Sequence, residues 1–107
     1  MLNRKVGSLR ISQSQKEGNP LLILEGYSDK ESADYLLNLL LSFLRNGSKT
    51  VFLDIKKLHV DIKGNMAISK AHSEYFNAGS KLVLIKNTVP VSKAMRIMQK
   101  KYFADSF

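Results

Sequence analysis

Short apolar runs alternate with stretches of helical periodicity along most of this 107-residue chain. The apolar runs occupy residues 21–24, 50–55 and 82–85, and each is bounded by turn or polar residues, as expected for a buried strand. Strands that alternate with helices predict right-handed crossovers and a mostly parallel sheet. In such a sheet the ligand-binding loops gather at the carboxyl ends of the parallel strands.

An antiparallel hairpin is predicted at the start of the chain. Leu9 and Ile11 alternate with polar residues, which is a weak strand signal. Residues 17–20 read Glu-Gly-Asn-Pro and predict a turn before the apolar run at 21–24. The two runs are therefore expected to pair and to add an antiparallel edge to the sheet.

The first helix is predicted to begin at Ser28 and to end at Asn46-Gly47. Glu31 lies three residues after Ser28 and completes a capping box, and Asp29 places a negative charge at the positive end of the helix dipole. The apolar arc is wider than one sheet contact needs, which fits either a deeply buried helix or a helix edge that contacts a partner. Its members are Ala33, Leu36, Leu37, Leu40, Phe43 and Leu44, with Leu39 and Leu41 on the flanks.

Two further helices complete the predicted fold. The second opens at Gly64-Asn65, after an extended connection at residues 56–61, and stops at Gly79. Its inward stripe comprises Ala67, Ile68, Ala71, Tyr75 and Ala78. The last helix begins near Pro90 and buries Ala94, Ile97 and Met98. The prediction is one α/β domain over residues 1–107, with a four-stranded, mostly parallel sheet and three helices in the order β-β-α-β-α-β-α.

Residue usage excludes several kinds of site. The chain has no cysteine and two histidines, so disulfides, thiolate nucleophiles and cysteine metal sites are excluded, and neither a metal nor a cofactor is expected. The first twelve residues carry no apolar block that would indicate a signal peptide, and no apolar stretch is long enough to span a bilayer. The expected location is the cytoplasm, without membrane attachment.

The net charge of +8 comes from 17 basic and 9 acidic residues and favours an acidic partner. Residues 80–107 hold six basic residues against one acidic residue, a net +5. A nucleic-acid-binding domain is one hypothesis, although aromatic residues do not interleave with basic ones in the strands, as base stacking would require. Nucleic acid is therefore the less favoured partner.

Catalytic and phosphate-binding motifs find little support. Residues 47–50, Gly-Ser-Lys-Thr, resemble the end of a P-loop but precede a strand instead of following one. His59 and Asp61 would share a face on a strand and form a conceivable general-base pair, yet nothing supplies a nucleophile. Two solvated residues near a strand end are the simpler interpretation, and the chain is not expected to be an enzyme.

Several short motifs, taken together in order, resemble the STAS domain of bacterial anti-sigma factor antagonists. Residues 22–29, Leu-Ile-Leu-Glu-Gly-Tyr-Ser-Asp, match a strand that ends in Gly with Asp at the start of the first helix. Residues 51–55, Val-Phe-Leu-Asp-Ile, match the central strand, and residues 78–87 match a helix that closes with Gly before an apolar strand and Asn. Residues 61–64, Asp-Ile-Lys-Gly, stand where the family has Asp-Ser-Ser-Gly or Asp-Ser-Thr-Gly. The resemblance extends from about residue 9 to residue 107.

The resemblance implies a regulatory module in transcription control that binds an anti-sigma factor or a related kinase-like protein. In the family, that kinase phosphorylates a hydroxyl residue of the loop, and the added charge disrupts docking. Here Ile62 and Lys63 replace both hydroxyl residues, and Ser69 lies too far along the helix to substitute. The predicted partner-binding loop comprises Asp61, Ile62, Lys63, Gly64 and Asn65, and its flanking surface comprises Gly26, Tyr27, Ser28 and Asp29.

Two interpretations of the altered loop remain open. In the first, the domain binds its partner without the phosphorylation switch, and Ile62, if exposed, is an apolar contact suited to an interface hot spot. In the second, Lys63 and the amides of a helix N-terminus hold a phosphate or a nucleotide. One lysine is weak support for a nucleotide site, so the first is preferred. The oligomeric state is left open, with a homodimer among the alternatives.

Overall fold

The structure is a computed structural model, and it describes residues 2–86. These residues form five strands and two helices in the order β-β-β-α-β-α-β. The elements are β1 (Asn3–Val6), β2 (Leu9–Lys16), β3 (Asn19–Ser28), α1 (Lys30–Arg45), β4 (Thr50–Val60), α2 (Ile62–Asn77) and β5 (Lys81–Ile85). The predicted α/β class is confirmed. The predicted last helix, with Ala94, Ile97 and Met98, lies outside the described residues.

The five strands form one mixed sheet in the spatial order β1-β2-β3-β4-β5. The pairs β1–β2 and β2–β3 are antiparallel, whereas β3–β4 and β4–β5 are parallel. The predicted hairpin and its antiparallel contribution are confirmed. The prediction of four strands in a mostly parallel sheet was wrong for this part of the chain, because β1 adds a fifth strand and a second antiparallel pair.

Strand β1 escaped prediction because its sequence, Asn-Arg-Lys-Val, has no apolar alternation. Its position depends on contacts made elsewhere in the chain. All four residues pair with β2. The guanidinium carbon of Arg4 also lies 5.1 Å from the centroid of the Tyr35 ring in α1, a cation–π contact on the helix side of the sheet.

The β2–β3 hairpin turns over two residues, Glu17 and Gly18. Both have positive φ, 54° and 78°, which matches the twist that a two-residue hairpin turn requires. The predicted four-residue turn was too long, since Asn19 and Pro20 already pair with Lys16 and Gln15. Pro20 is tolerated because it stands at the beginning of its strand.

The core lies between the sheet and the two helices. Leu22, Leu53 and Leu84 pair in register across β3, β4 and β5, so they form one apolar row on the helix-covered face. Both helices pack on this face and against each other. The core cluster comprises Leu9, Ile11, Leu22, Leu24, Leu36, Leu40, Val51, Leu53, Ile68, Ala71, Tyr75 and Leu82. The wide apolar arc of α1 is explained in part by this packing, because Leu37, Leu39 and Phe43 are half-buried against the cluster.

Strand β4 is longer than predicted and contains an irregularity. It runs to Val60, so the predicted extended connection at residues 56–60 is part of the strand. Ile23 pairs with Asp54, and Glu25 pairs with Lys57, so two residues of β4 stand opposite Leu24. This β-bulge shifts the alternation of side chains between the two faces of the sheet by one residue along β4. Beyond it, Gly26 pairs with Leu58 and Ser28 pairs with Val60.

Candidate protein-docking site

Both helices begin at the same edge of the sheet, immediately after neighbouring parallel strands. Ser28 ends β3 and pairs with Val60, which ends β4. The backbone amide of Asp61 donates to the carbonyl of Ser28 at 3.4 Å, so the chain enters α2 directly beside the start of α1. The carboxyl ends of the parallel strands thus bring two helix N-termini together, where a binding site was expected.

Asp29, not Ser28, is the N-cap residue of α1. Its Oδ1 accepts a hydrogen bond from the Ser32 amide at 3.1 Å, and the Asp29 amide donates to Ser32 Oγ at 2.9 Å. The predicted capping box was therefore placed one residue early, and Ser32 takes the role assigned to Glu31. The bonds from Ser32 hold the pKa of the Asp29 carboxyl below its usual value, because they stabilise the charged form.

Asp61 caps α2 in the same way. Its Oδ1 accepts a hydrogen bond from the Gly64 amide at 2.8 Å. The prediction that Gly64-Asn65 opens the second helix was wrong by three residues, because Asp61 is the N-cap and Ile62 is already helical. The predicted loop is the N-cap and first turn of α2. A phosphate held by the Gly64 amide would have to displace Asp61 and would meet its negative charge.

Gly64 lets the two helix starts approach each other. A Cβ at Gly64 would lie 3.1 Å from Ser28 Oγ and 3.1 Å from Val60 Cβ, closer than most such contacts allow. Gly64 is buried, and Ser28 beneath it is fully buried. Ser28 therefore belongs to the packing between α2 and β3 and offers no surface to a partner, contrary to the prediction that placed it on the flanking surface.

Gly26 and Tyr27 occupy different environments. Gly26 has φ 103°, and a Cβ there would lie 2.2 Å from the carbonyl oxygen of Ser8, so only glycine fits. The Tyr27 amide donates to the same carbonyl at 3.2 Å. Tyr27 is 45% exposed, and strand alternation places its side chain on the face opposite Ser28 and the helices. The flanking surface predicted at residues 26–29 is thus divided between the two faces of the sheet.

The exposed part of the α2 start is apolar and basic. Ile62 is 78% exposed, and Met66, four residues later on the same helix face, is 64% exposed. Lys63 and Asn65 are exposed between them. A single exposed apolar side chain is common on a protein surface, whereas a cluster of them is typical of an interaction site.

The serine hydroxyls at the two helix caps are inaccessible. Ser28 and Ser32 are both fully buried, and their Oγ atoms are 3.3 Å apart. Ile62 and Lys63 carry no hydroxyl, and Ser69 lies in the second turn of α2, where it is exposed. No exposed hydroxyl is present in residues 61–64.

His59 and Asp61 do not form a general-base pair. His59 is exposed on β4 and pairs across the sheet with Tyr27, while the Asp61 carboxylate caps α2. The two side chains share no hydrogen bond in the described part of the chain.

Residues 2–86 hold no cluster of three His, Asp or Glu side chains arranged for a metal ion. They also include no helix whose length and hydropathy suit a membrane crossing.

A groove between α1 and α2 was not foreseen from the sequence. It has a volume of about 390 Å³ and is called the α1–α2 groove below. Its lining comprises Lys30, Ala33, Asp34, Leu37, Lys63, Met66, Ala67 and Lys70. The spacing of Lys63, Met66 and Lys70, at i, i+3 and i+7, was the signal that could have revealed it. The wide apolar arc of α1 suggested a helix-edge contact, and two of its members, Ala33 and Leu37, line the groove.

Comparison with solved structures identifies the architecture. A protein from Mycobacterium paratuberculosis described as an anti-sigma factor antagonist superposes with a TM-score of 0.68 and 9% identity, covering 91% of this chain and 81% of that one. The phosphorylated form of the Bacillus cell fate determinant SpoIIAA gives 0.61 with 14% identity, covering 90% and 84%. A STAS domain of an antisigma-factor antagonist from Rhodobacter sphaeroides gives 0.57 with 18% identity, covering 74% and 87%.

A larger protein contains a similar unit. The structure described as Mglu superposes with a TM-score of 0.62 and 20% identity over 75% of this chain, which spans about a fifth (20%) of that protein. No protein-family model and no curated protein sequence matches the chain.

These likenesses assign the mixed α/β fold described above to a known class of domain. The chain has the fold of a STAS domain, as the sequence motifs indicated.

Proposed function

We propose that this chain is a regulatory protein-binding module of the anti-sigma factor antagonist type, with a partner that docks on the start of α2. The observation that carries the proposal is the exposure of Ile62 (78%) and Met66 (64%) on one helix face, at the edge where both helices begin. Apolar side chains that a partner can cover, with polar residues around them, are suited to an interface hot spot. The folds of the antagonists from Mycobacterium paratuberculosis and Bacillus support the same role.

The proposed module works without phosphorylation at residues 61–64. A phosphate added at a docking surface acts through its charge and needs an accessible hydroxyl. Ile62 and Lys63 offer none, and the hydroxyls of Ser28 and Ser32 at the helix starts are fully buried. Control would then come from the abundance of the chain or from another subunit, and the partner would be an anti-sigma factor or a related kinase-like protein.

The docking surface is tested with two matched variants of α2. Ile62→Glu changes the proposed contact, and Phe76→Glu makes the same chemical change at a side chain of similar exposure, 75%, near the other end of the helix. Wild type and Phe76→Glu, used as micromolar bait, are expected to capture the same sigma-pathway protein from the source organism, and Ile62→Glu is expected to lose it. Capture of no such protein, or equal capture by Ile62→Glu, would contradict the proposal.

The proposed absence of a phosphorylation switch at residues 61–64 has its own test. The captured kinase-like protein is incubated with the chain and ATP, and intact mass with peptide mapping locates any phosphate. No phosphate is expected at residues 61–64, because those residues carry no hydroxyl. Phosphorylation of Ser69 that also abolished partner capture would show that a switch exists in α2 after all.

A nucleic-acid-binding domain is the second candidate. The sheet register places Lys5, Arg10 and Lys57 in one cross-strand row with Glu25 on the face opposite the helices. Such a face predicts binding to labelled duplex that weakens steeply with salt, because neutralised phosphates release counterions. Absence of a mobility shift at low salt would remove this candidate.

A further inference from the structure

We infer that the α1–α2 groove receives an acidic amphipathic helix of the partner protein. The inference rests on the proposed protein-binding function and names the chemistry of the partner. The groove lies beside the exposed start of α2, since Lys63 and Met66 belong to both the groove and the first turns of that helix. A partner seated on Ile62 can therefore extend along the groove.

The shape of the groove suits a helix. Helices α1 and α2 each return the chain to a parallel strand, so they run in the same direction, and the groove lies between them. Both walls are helix surfaces and present no unpaired strand edge that would select an extended peptide. Side-chain ridges of a third helix fit such a groove, and amphipathic helices commonly bind in this way.

The charges of the groove select the partner. Lys30, Lys63 and Lys70 are exposed along its margins, and Asp34 is its one acidic residue, so the lining carries a net charge of +2 (three lysines minus one aspartate). Complementary charge on a partner raises both its association rate and its specificity. Glutamate or aspartate side chains on the flanks of a bound helix would lie against these lysines.

The floor of the groove excludes a purely ionic ligand. Its apolar lining comprises the buried Ala33 and Ala67 together with Leu37 and Met66, and Met66 is 64% exposed. A nucleic-acid backbone would place phosphates against these apolar side chains, whereas an amphipathic helix would cover them with its own apolar stripe. Methionine suits such a contact because its flexible side chain adapts to irregular surfaces.

The test uses three designed peptides of about 18 residues, long enough to form helix. One combines a leucine stripe with glutamate flanks, the second has the same stripe with lysine flanks, and the third has glutamates but no stripe. Saturable binding by fluorescence anisotropy is expected for the first peptide, with the other two weaker by about tenfold or more. Amide NMR shift changes should cluster on α1 and α2. Equal binding of all three peptides, or shifts on the opposite sheet face, would overturn the inference.

Charge-reversal variants locate the contact. Lys63→Glu/Lys70→Glu is expected to weaken the glutamate–leucine peptide by about tenfold and to strengthen the lysine–leucine peptide. The control Lys49→Glu/Lys81→Glu makes the same charge change at two exposed residues, one just before β4 and one at the start of β5, and should leave both affinities unchanged. Circular dichroism confirms that each variant is folded. An unchanged affinity in the groove variant would overturn the inference.

The partner-capture experiment separates this inference from the proposed function. If Ile62→Glu loses the sigma-pathway protein and the groove variant keeps it, the proposed function stands and the groove inference fails. If the groove binds the acidic peptide and no sigma-pathway protein is captured, the groove inference stands and the assignment to that pathway fails.

Discussion

The hydroxyl of Tyr75 in α2 donates a hydrogen bond to the backbone carbonyl of Leu40 in α1, at 2.5 Å within the core. Tyr75 is fully buried, so this bond satisfies the one polar atom of a large core side chain and joins the two helices that carry the proposed docking site.

Removal of this hydroxyl should weaken the fold without abolishing it. Tyr75→Phe is expected to lower the free energy of unfolding by about 1–2 kcal/mol, because the ring stays buried and only the hydrogen bond is lost. Tyr27→Phe is the control, since that ring is 45% exposed, and it should cost about 0.5 kcal/mol or less. Urea denaturation of both variants measures the difference. Equal losses would show that the Leu40 contact contributes little.

The contribution of the Tyr75 hydroxyl should also be visible as a loss of stability at alkaline pH. Burial raises the pKa of Tyr75 from its usual 10.0 to about 12, because the phenolate is poorly solvated in the core. The stabilising contribution is complete below pH 10.0 and is lost as pH rises towards about 12, since the unfolded state releases its proton first. Wild type should lose more stability than Tyr75→Phe over this interval in denaturant titrations at each pH. Parallel declines would contradict the prediction.

Gly26 should tolerate no side chain. Gly26→Ala combines positive φ with a Cβ 2.2 Å from the Ser8 carbonyl oxygen, and we expect a loss of at least about 4 kcal/mol in unfolding free energy. Gly18→Ala is a matched control, because φ there is also positive, 78°, but no atom lies within 4 Å of the added methyl. It should cost about 1–2 kcal/mol. Similar thermal midpoints for the two variants would rule out the close approach to Ser8.

The N-cap residue of α1 should make the free energy of unfolding depend on pH in the acidic range. Because the pKa of Asp29 is lowered in the folded state, its carboxylate stabilises the fold fully only above the usual pKa of 3.8. This stabilisation is lost as pH falls through the lower folded-state pKa. Asp29→Asn should therefore be less stable than wild type near neutral pH and should converge with it in strong acid. Asp34→Asn, an exposed change in the same helix, should track wild type throughout. A constant gap between Asp29→Asn and wild type would refute the assignment.

The bulge in β4 predicts that the fold tolerates deletion of a bulged residue but not deletion of a residue elsewhere in the strand. Because Ile55 and Lys56 together oppose Leu24, deletion of Lys56 leaves every later residue on the same face of the sheet. Deletion of Leu58 would instead move Val60 out of register with Ser28 and displace the start of α2. Deletion of Lys56 should give a folded protein with unchanged α2 amide shifts, and deletion of Leu58 should not. Equal damage from both deletions would contradict this reading of the register.

The centre of the fold could be predicted from the sequence because local and long-range preferences agree there. The apolar strand at residues 21–24 and the buried stripe of α2 carry periodicities that only one packing satisfies. Strand β1 could not be predicted, since Arg4 and Lys5 give no apolar alternation and the strand forms by pairing with β2 and stacking on Tyr35.

The start of α2 is harder to predict than the core. Asp61 is a good N-cap residue, but Gly64 and Asn65 are poor helix formers, so local preference alone opens the helix too late. Gly64 is there for another reason, the close approach to Ser28. The α1–α2 groove depends on how two separate helices lie side by side, which no single segment of sequence records.

Burial of the Ser28 and Ser32 hydroxyls beneath the two caps has a kinetic consequence. Any enzyme that modified either hydroxyl would have to wait until the ends of both helices frayed, so its rate would follow that rare opening rather than its own affinity for the chain. The same restraint would keep these two hydroxyls unmodified for as long as both helix ends stay folded.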